Sequence, residues 1–133
     1  MPVLRNKSKY TGLKRVLYSA KYSIEGLVYA YKNEKSLWIH AVVSICGILA
    51  GFIFRISLGQ WSIMLIALGV ILAVELLNTA IEAVVDMVTL EFNPLAKIAK
   101  DCGSAATFVT SFIGIIIGCV IFIPKILRLI GLM

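Results

Sequence analysis

Within the run VELLNTAIEAVVDMV (74–88), Glu75, Asn78, Glu82 and Asp86 recur at spacings of three and four residues in an otherwise apolar stretch. On a helix of 3.6 residues per turn these four side chains share one stripe. Three acids and an amide on one face offer oxygen ligands and proton acceptors. A carboxylate drawn out of water holds its proton more tightly and becomes suited to general-base work near neutrality, and the depth of Glu75 in the run points to that role. Glu82 lies about 10.5 Å further along by helical rise, where contact with water suits a hard divalent cation arriving with phosphates. The pair fits a reaction with one reactant in lipid and the other in water. Two other readings use the same stripe: hydrogen bonds that join helices, and an ion or proton path. Helix joining more often uses Ser, Thr or Asn than three acids, and the outer half of the helix, WSIMLIALGVILAV, has no ionisable residue to continue a path.

The elements that must position these groups are helical. The chain has 133 residues, 60% of them hydrophobic, a balance that belongs to a membrane protein. LWIHAVVSICGILAGFIF (37–54) and AATFVTSFIGIIIGCVIFIP (105–124) are long enough to cross a hydrocarbon core of about 30 Å. The run 58–85 crosses only if its C-terminal half carries the polar stripe. From Leu13 to Tyr31 apolar residues recur every three or four positions with lysine and arginine mostly elsewhere, which predicts an amphipathic helix lying in the membrane interface. The expectation is an all-α membrane protein forming a single domain over 1–133. It comprises an interfacial helix at 11–32 and transmembrane helices at 36–54, 58–86 and 103–124. FRISLGQ (54–60) forms the outer turn, with Trp61 as an interfacial anchor, and Asn93-Pro94 breaks the inner connection before a new helix starts.

Charge sets an expected orientation. Arg5, Lys7, Lys9, Lys14, Arg15, Lys21, Lys32 and Lys35 precede the first span, whereas the 55–60 loop carries Arg55 alone. The positive-inside rule puts the N-terminus in the cytoplasm and the C-terminus outside, and no early apolar core with a cleavage site marks a removable signal. The net charge of +6 lies beside spans without an aromatic-interleaved pattern, so anionic headgroups, not nucleic acid, account for it. Cys46, Cys102 and Cys119 lack metal-site spacing and read as small packing residues. Gly47 with Gly51, and Gly114 with Gly118, have the spacing that lets helix backbones approach closely. Three helices are few to enclose a large site, and a homo-oligomer is expected.

Glu34, at the junction of the interfacial helix and the first span, reads alone as a solvated helix-end charge; with Glu82 it makes a two-carboxylate site for magnesium carrying a nucleotide. Lys100 and Asp101 in AKIAKDCGS add a cation for phosphate and an acceptor for a base or sugar. His40 falls inside the first span and reads as a packed, hydrogen-bonded histidine. There is neither a G-x-x-x-x-G-K-[ST] phosphate loop nor a protein-kinase glycine-rich loop. ATP chemistry here would need a helical membrane scaffold.

These residues resemble a known family, the small integral-membrane prokaryotic diacylglycerol and undecaprenol kinases. VELLNTAIEAVVD matches the family's E-x-x-N-[ST]-A-I-E-A-V-V-D pattern, AKDCGSAA matches A-K-D-x-[AG]-[SA]-A, and YSIEGL, Asn33-Glu34 and Arg15 fit the N-terminal part, over about residues 11–124. The resemblance implies a homotrimer in the bacterial inner membrane that moves the γ-phosphate of Mg-ATP to a lipid hydroxyl at the cytoplasmic face. It implies Glu75 as general base with Asn78 orienting, and Glu34 and Glu82 as the Mg2+ ligands. ATP contacts would come from Arg15, Tyr22, Glu34, Glu82, Glu91, Phe92, Asn93, Lys100 and Asp101. Lipid contacts would come from Arg15, Ser23, Glu75 and Ser104. Family members acting on diacylglycerol typically read Y-S-W-K-G-L where this chain has Tyr22-Ser23-Ile24-Glu25-Gly26-Leu27. That difference, with IH at 39–40, NPLAKIAKD at 93–101 and FIPKI at 122–126, favours undecaprenol as acceptor over diacylglycerol. A non-enzymatic membrane scaffold or channel subunit is the rival of another class.

Overall fold

The computed structural model describes residues 11–132. The described residues form four α-helices: α1 (Gly12–Asn33), α2 (Lys35–Ile53), α3 (Leu58–Val88) and α4 (Pro94–Leu129). Arg5, Lys7 and Lys9, which enter the charge asymmetry, lie outside the described residues. Two compact units result, α1 on its own and α2 to α4 from Glu34 onward. Helices α2, α3 and α4 are each long and apolar enough to cross a membrane.

Local sequence explains where these helices start and stop. Ser57 and Gln60 form a reciprocal capping box at α3: the Gln60 amide donates to Ser57 Oγ at 3.3 Å, and the Ser57 amide to Gln60 Oε1 at 3.0 Å. Asn93 caps α4 by accepting from the amides of Leu95 (2.9 Å) and Ala96 (3.3 Å), with Pro94 at the first helical position. α4 therefore begins nine residues before the span expected from 103, because residues 94–102 are polar enough to leave the hydrocarbon yet helix-compatible. At the end of α2 the chain reverses through Arg55 at φ 47°, with the Ile56 amide on the Gly51 carbonyl and the Arg55 amide on the Phe52 carbonyl. This is a Schellman closure with arginine at the position glycine usually fills.

α3 packs chiefly along α4, and α2 leans on α3. At the end where α2 turns into α3, Ile56, Met64 and Ile121 are buried among Phe54, Trp61, Ile117 and Phe122. Within the chain, Gly47, Gly51 and Gly114 meet side chains. Gly51 receives the Trp61 ring, and a methyl there would come within 2.8 Å of it; Gly114 receives Ile71; among the described residues nothing crowds Gly118. Trp61 is thus seated against α2 as well as placed at a span end. All three cysteines are free and exposed, not packed in the chain's interior.

Most large apolar side chains of α2 to α4 face outward, while Glu75, Asn78 and Thr79 are buried. That inversion of the soluble pattern concentrates the chain's polar interior at one end of the bundle.

Candidate active site

The up-down-up order of α2, α3 and α4 brings three chain segments to one end: the start of α2, the last three turns of α3 and the start of α4. Glu75 is 5% exposed. Its Oε1 accepts a hydrogen bond from Ser36 Oγ, and its Oε2 faces His40 Nε2 at 4.0 Å. One turn on, Asn78 Nδ2 donates to Glu82 Oε1 at 2.9 Å, and Thr79 Oγ1 bonds back to the Glu75 carbonyl. The stripe read from spacing places the buried acid and the half-buried Glu82 on one face of α3, with Asn78 bonded to Glu82 alone.

Glu34 is the N-terminal cap residue of α2, yet its carboxylate makes no capping hydrogen bond. Partial burial pushes its pKa up, and the negative charges of Glu82 and then Glu75 push it the same way. These three acids are therefore electrostatic neighbours, drawn from two helices. Since the folded-state pKa is raised, ionised Glu34 weakens the fold at neutral pH, and that penalty disappears as the pH falls below its ordinary value of 4.5. Glu34→Gln is expected to raise the melting temperature of nucleotide-free protein in micelles at pH 7–8. The gain should shrink as the pH falls toward 4.5; a gain independent of pH would show that like-charge repulsion is not its source.

Beyond Glu82 the site opens into a groove of about 450 Å³ lined by Asp86, Thr89, Glu91, Phe92, Asn93, Lys97, Lys100 and Asp101, among others. Lys100 Nζ is paired with Asp86 Oδ1 at 2.5 Å and lies within electrostatic reach of Glu82, joining the groove to the acidic stripe. Asp101 is paired with Lys97. Glu91 is held in a tight turn by its amide on Thr89 Oγ1 (3.1 Å), and Phe92 is largely exposed.

Of the residues expected at the site, Glu34, Glu75, Asn78 and Glu82 share one neighbourhood, and Glu91, Phe92, Asn93, Lys100 and Asp101 share the groove. The Asn93 side-chain carbonyl is already committed to capping α4. Ser104 is exposed, one residue past the buried Gly103. Arg15, Tyr22 and Ser23 lie on α1, where Ser23 bonds back to the Ser19 carbonyl and Tyr22 meets the Tyr18 ring. Sequence reasoning missed Ser36, and it took His40 for a packing residue where the structure sets it beside Glu75. Their spacing of four gives both the same face of α2, but which neighbour that face meets is set by the docking of α2 on α3.

Residues 21–122 match the sequence profile of the family described as prokaryotic diacylglycerol kinase. The chain belongs to that family. It is a membrane-embedded lipid kinase. Undecaprenol kinase of Bacillus subtilis is 35% identical over 120 residues, covering 90% of this chain and 98% of the relative. Diacylglycerol kinase of Pseudomonas aeruginosa is 43% identical over 99 residues, 74% of this chain and 80% of its own length. Diacylglycerol kinase of Haemophilus influenzae is 39% identical over 117 residues, 86% of this chain and 98% of the relative. A kinase of this family implies ATP and a lipid substrate.

Proposed function

We propose that this lipid kinase transfers the γ-phosphate of Mg-ATP to the hydroxyl of undecaprenol at the cytoplasmic face of the bacterial inner membrane, giving undecaprenyl phosphate. The observation that carries the reading is the buried Glu75 on one face of α3 with Glu82, which accepts from Asn78 and lies within electrostatic reach of Lys100, a residue lining an open polar groove. A proton acceptor in the apolar layer and an anion-handling groove in water are the two halves of phosphoryl transfer to a lipid alcohol.

Glu75 takes the proton of the alcohol as its oxygen attacks the γ-phosphorus in line; the bond to the β-phosphate oxygen breaks, and ADP leaves. Asn78 orients the reacting groups, its Nδ2 held by Glu82. Glu34 and Glu82 would hold magnesium, and the crowding of negative charge around Glu34 fits a divalent cation arriving with nucleotide phosphates. When bound, that cation neutralises phosphoryl oxygens. Lys100 and Asp101 exchange their intrachain partners Asp86 and Lys97 for nucleotide, with Glu91, Phe92 and Asn93 bordering it. Arg15 and Tyr22 add nucleotide contacts, and Arg15, Ser23 and Ser104 contact lipid. The whole chain, 1–133, acts as one kinase domain with α1 in the interface. The unit is a homotrimer, N-terminus cytoplasmic and C-terminus outside, which supplies from neighbouring chains the enclosure that three helices lack.

The acceptor rests on the near full-length correspondence with the Bacillus subtilis undecaprenol kinase, together with Ile24 and Glu25 in YSIEGL and the IH and FIPKI stretches. Diacylglycerol is the second reading, favoured by the higher identity, over a shorter span, to the Pseudomonas aeruginosa enzyme. Purified protein in micelles, given labelled ATP and both alcohols in competition, is expected to yield mainly undecaprenyl phosphate. Predominant phosphatidic acid would establish the second reading, and no labelled lipid at all would overturn the kinase assignment in favour of a scaffold.

A further inference from the structure

The Glu75 carboxylate is bracketed by two side chains of one helix. Ser36 and His40 stand four residues apart on α2, hence on one face, and each meets a different oxygen of the acid: the Ser36 hydroxyl donates to Oε1, while His40 Nε2 faces Oε2 at 4.0 Å. Both are half-buried. Neither contact is local, since Ser36 and Glu75 are 39 residues apart in the chain, so the arrangement records how α2 docks on α3. A buried carboxylate whose terminal torsion is free presents either oxygen to a substrate, and a proton acceptor works only when the reacting atoms meet in register.

We propose that Ser36 and His40 are positioning residues that clamp Glu75, Ser36 occupying Oε1 so that Oε2 is the atom presented to the acceptor hydroxyl. This rests on the assignment of Glu75 as base. At 4.0 Å His40 is beyond hydrogen-bond range of Oε2. The lone pairs of that oxygen stay available, and the imidazole limits where an incoming hydroxyl can sit. His40 also lines an apolar groove of about 510 Å³ shared with Val43, Gly47, Leu68, Ile71 and Gly114. The clamp therefore stands where an apolar surface meets the acid, which is the side from which a lipid alcohol arrives.

The test is a set of variants assayed in micelles with saturating lipid. Ser36→Ala is expected to lower kcat about tenfold or more, as a misplaced reacting group does, with KM for ATP unchanged; Ser36→Thr, which keeps the hydroxyl, should recover most of the loss. His40→Leu should lower kcat without altering KM for ATP, and His40→Gln, which keeps a polar N–H, should be milder. Wild-type kcat in both Ser36→Ala and His40→Leu would overturn the clamp, as would an equal failure of Ser36→Thr and Ser36→Ala. Glu75→Gln separates the two levels: if it retains turnover the base assignment itself fails, whereas an inactive Glu75→Gln beside a fully active Ser36→Ala removes the clamp alone.

Discussion

Glu75→Gln is expected to lower kcat by about 10²- to 10⁴-fold, the usual contribution of a positioned general base, while Mg-ATP binds almost as to the wild type. The substitution is nearly isosteric, and its amide oxygen still accepts from Ser36, so the fold and the start of α2 keep their places. What is lost is the ability to take a proton. Glu82→Gln is expected to behave in the opposite way. Losing a charge-assisted contact worth about 1.5–3 kcal/mol weakens Mg-ATP binding roughly 10- to 100-fold, and saturating nucleotide recovers much of the rate. Labelled-phosphate transfer gives kcat, and equilibrium titration with Mg-ATP gives affinity in the same micelles. Equal loss of nucleotide affinity in the two variants would refute this division of labour, which rests on burial. Glu75 is nearly sealed from solvent, whereas Glu82 is only half-buried.

That division is legible in the amino-acid sequence because it lies along one helix. A period of 3.6 residues converts the positions 75, 78, 82 and 86 into a face, and a count of apolar residues gives depth. The helix ends are legible for the same reason: Ser57 with Gln60, and Asn93 with Pro94, are local chemistry in which partners sit within three residues. Relations between helices are not legible. Nothing in the spacing of α2 says that Ser36 and His40 meet Glu75, because the docking of α2 on α3 depends on side-chain shape over the whole contact, including the Trp61 ring settled on Gly51. The glycine pairs show the same limit: spacing identifies small residues, but whether a small residue admits a backbone, a ring or nothing is decided by the neighbour. Lys100 is legible as a cation beside the acidic stripe but not as the partner of Asp86.

Gly103→Ala is expected to damage both stability and nucleotide handling through one atom. Gly103 is buried on α4 directly against Asn78, and a methyl there would overlap Asn78 Oδ1 and come within 3.3 Å of its Cγ. In a helix interior, alanine is otherwise favoured over glycine by about 1 kcal/mol, so helix propensity alone predicts a small gain. Overpacking of a close contact costs about 1–3 kcal/mol, and here the crowded group is a buried amide whose Oδ1 has no protein partner to hold it elsewhere. The steric term wins. Asn78 must swing away and withdraw Nδ2 from Glu82, leaving unsupported the carboxylate proposed to hold Mg-ATP. The expected outcome is a lower melting temperature in micelles together with a raised KM for ATP. Adding Asn78→Ala relieves the overlap, so the double variant should regain melting temperature while KM for ATP stays high, because the link to Glu82 is still missing. Recovery of both properties in the double variant would mean that Asn78 does not support Glu82. A Gly103→Ala protein with wild-type melting temperature and KM would mean that α4 approaches α3 less closely than this contact requires.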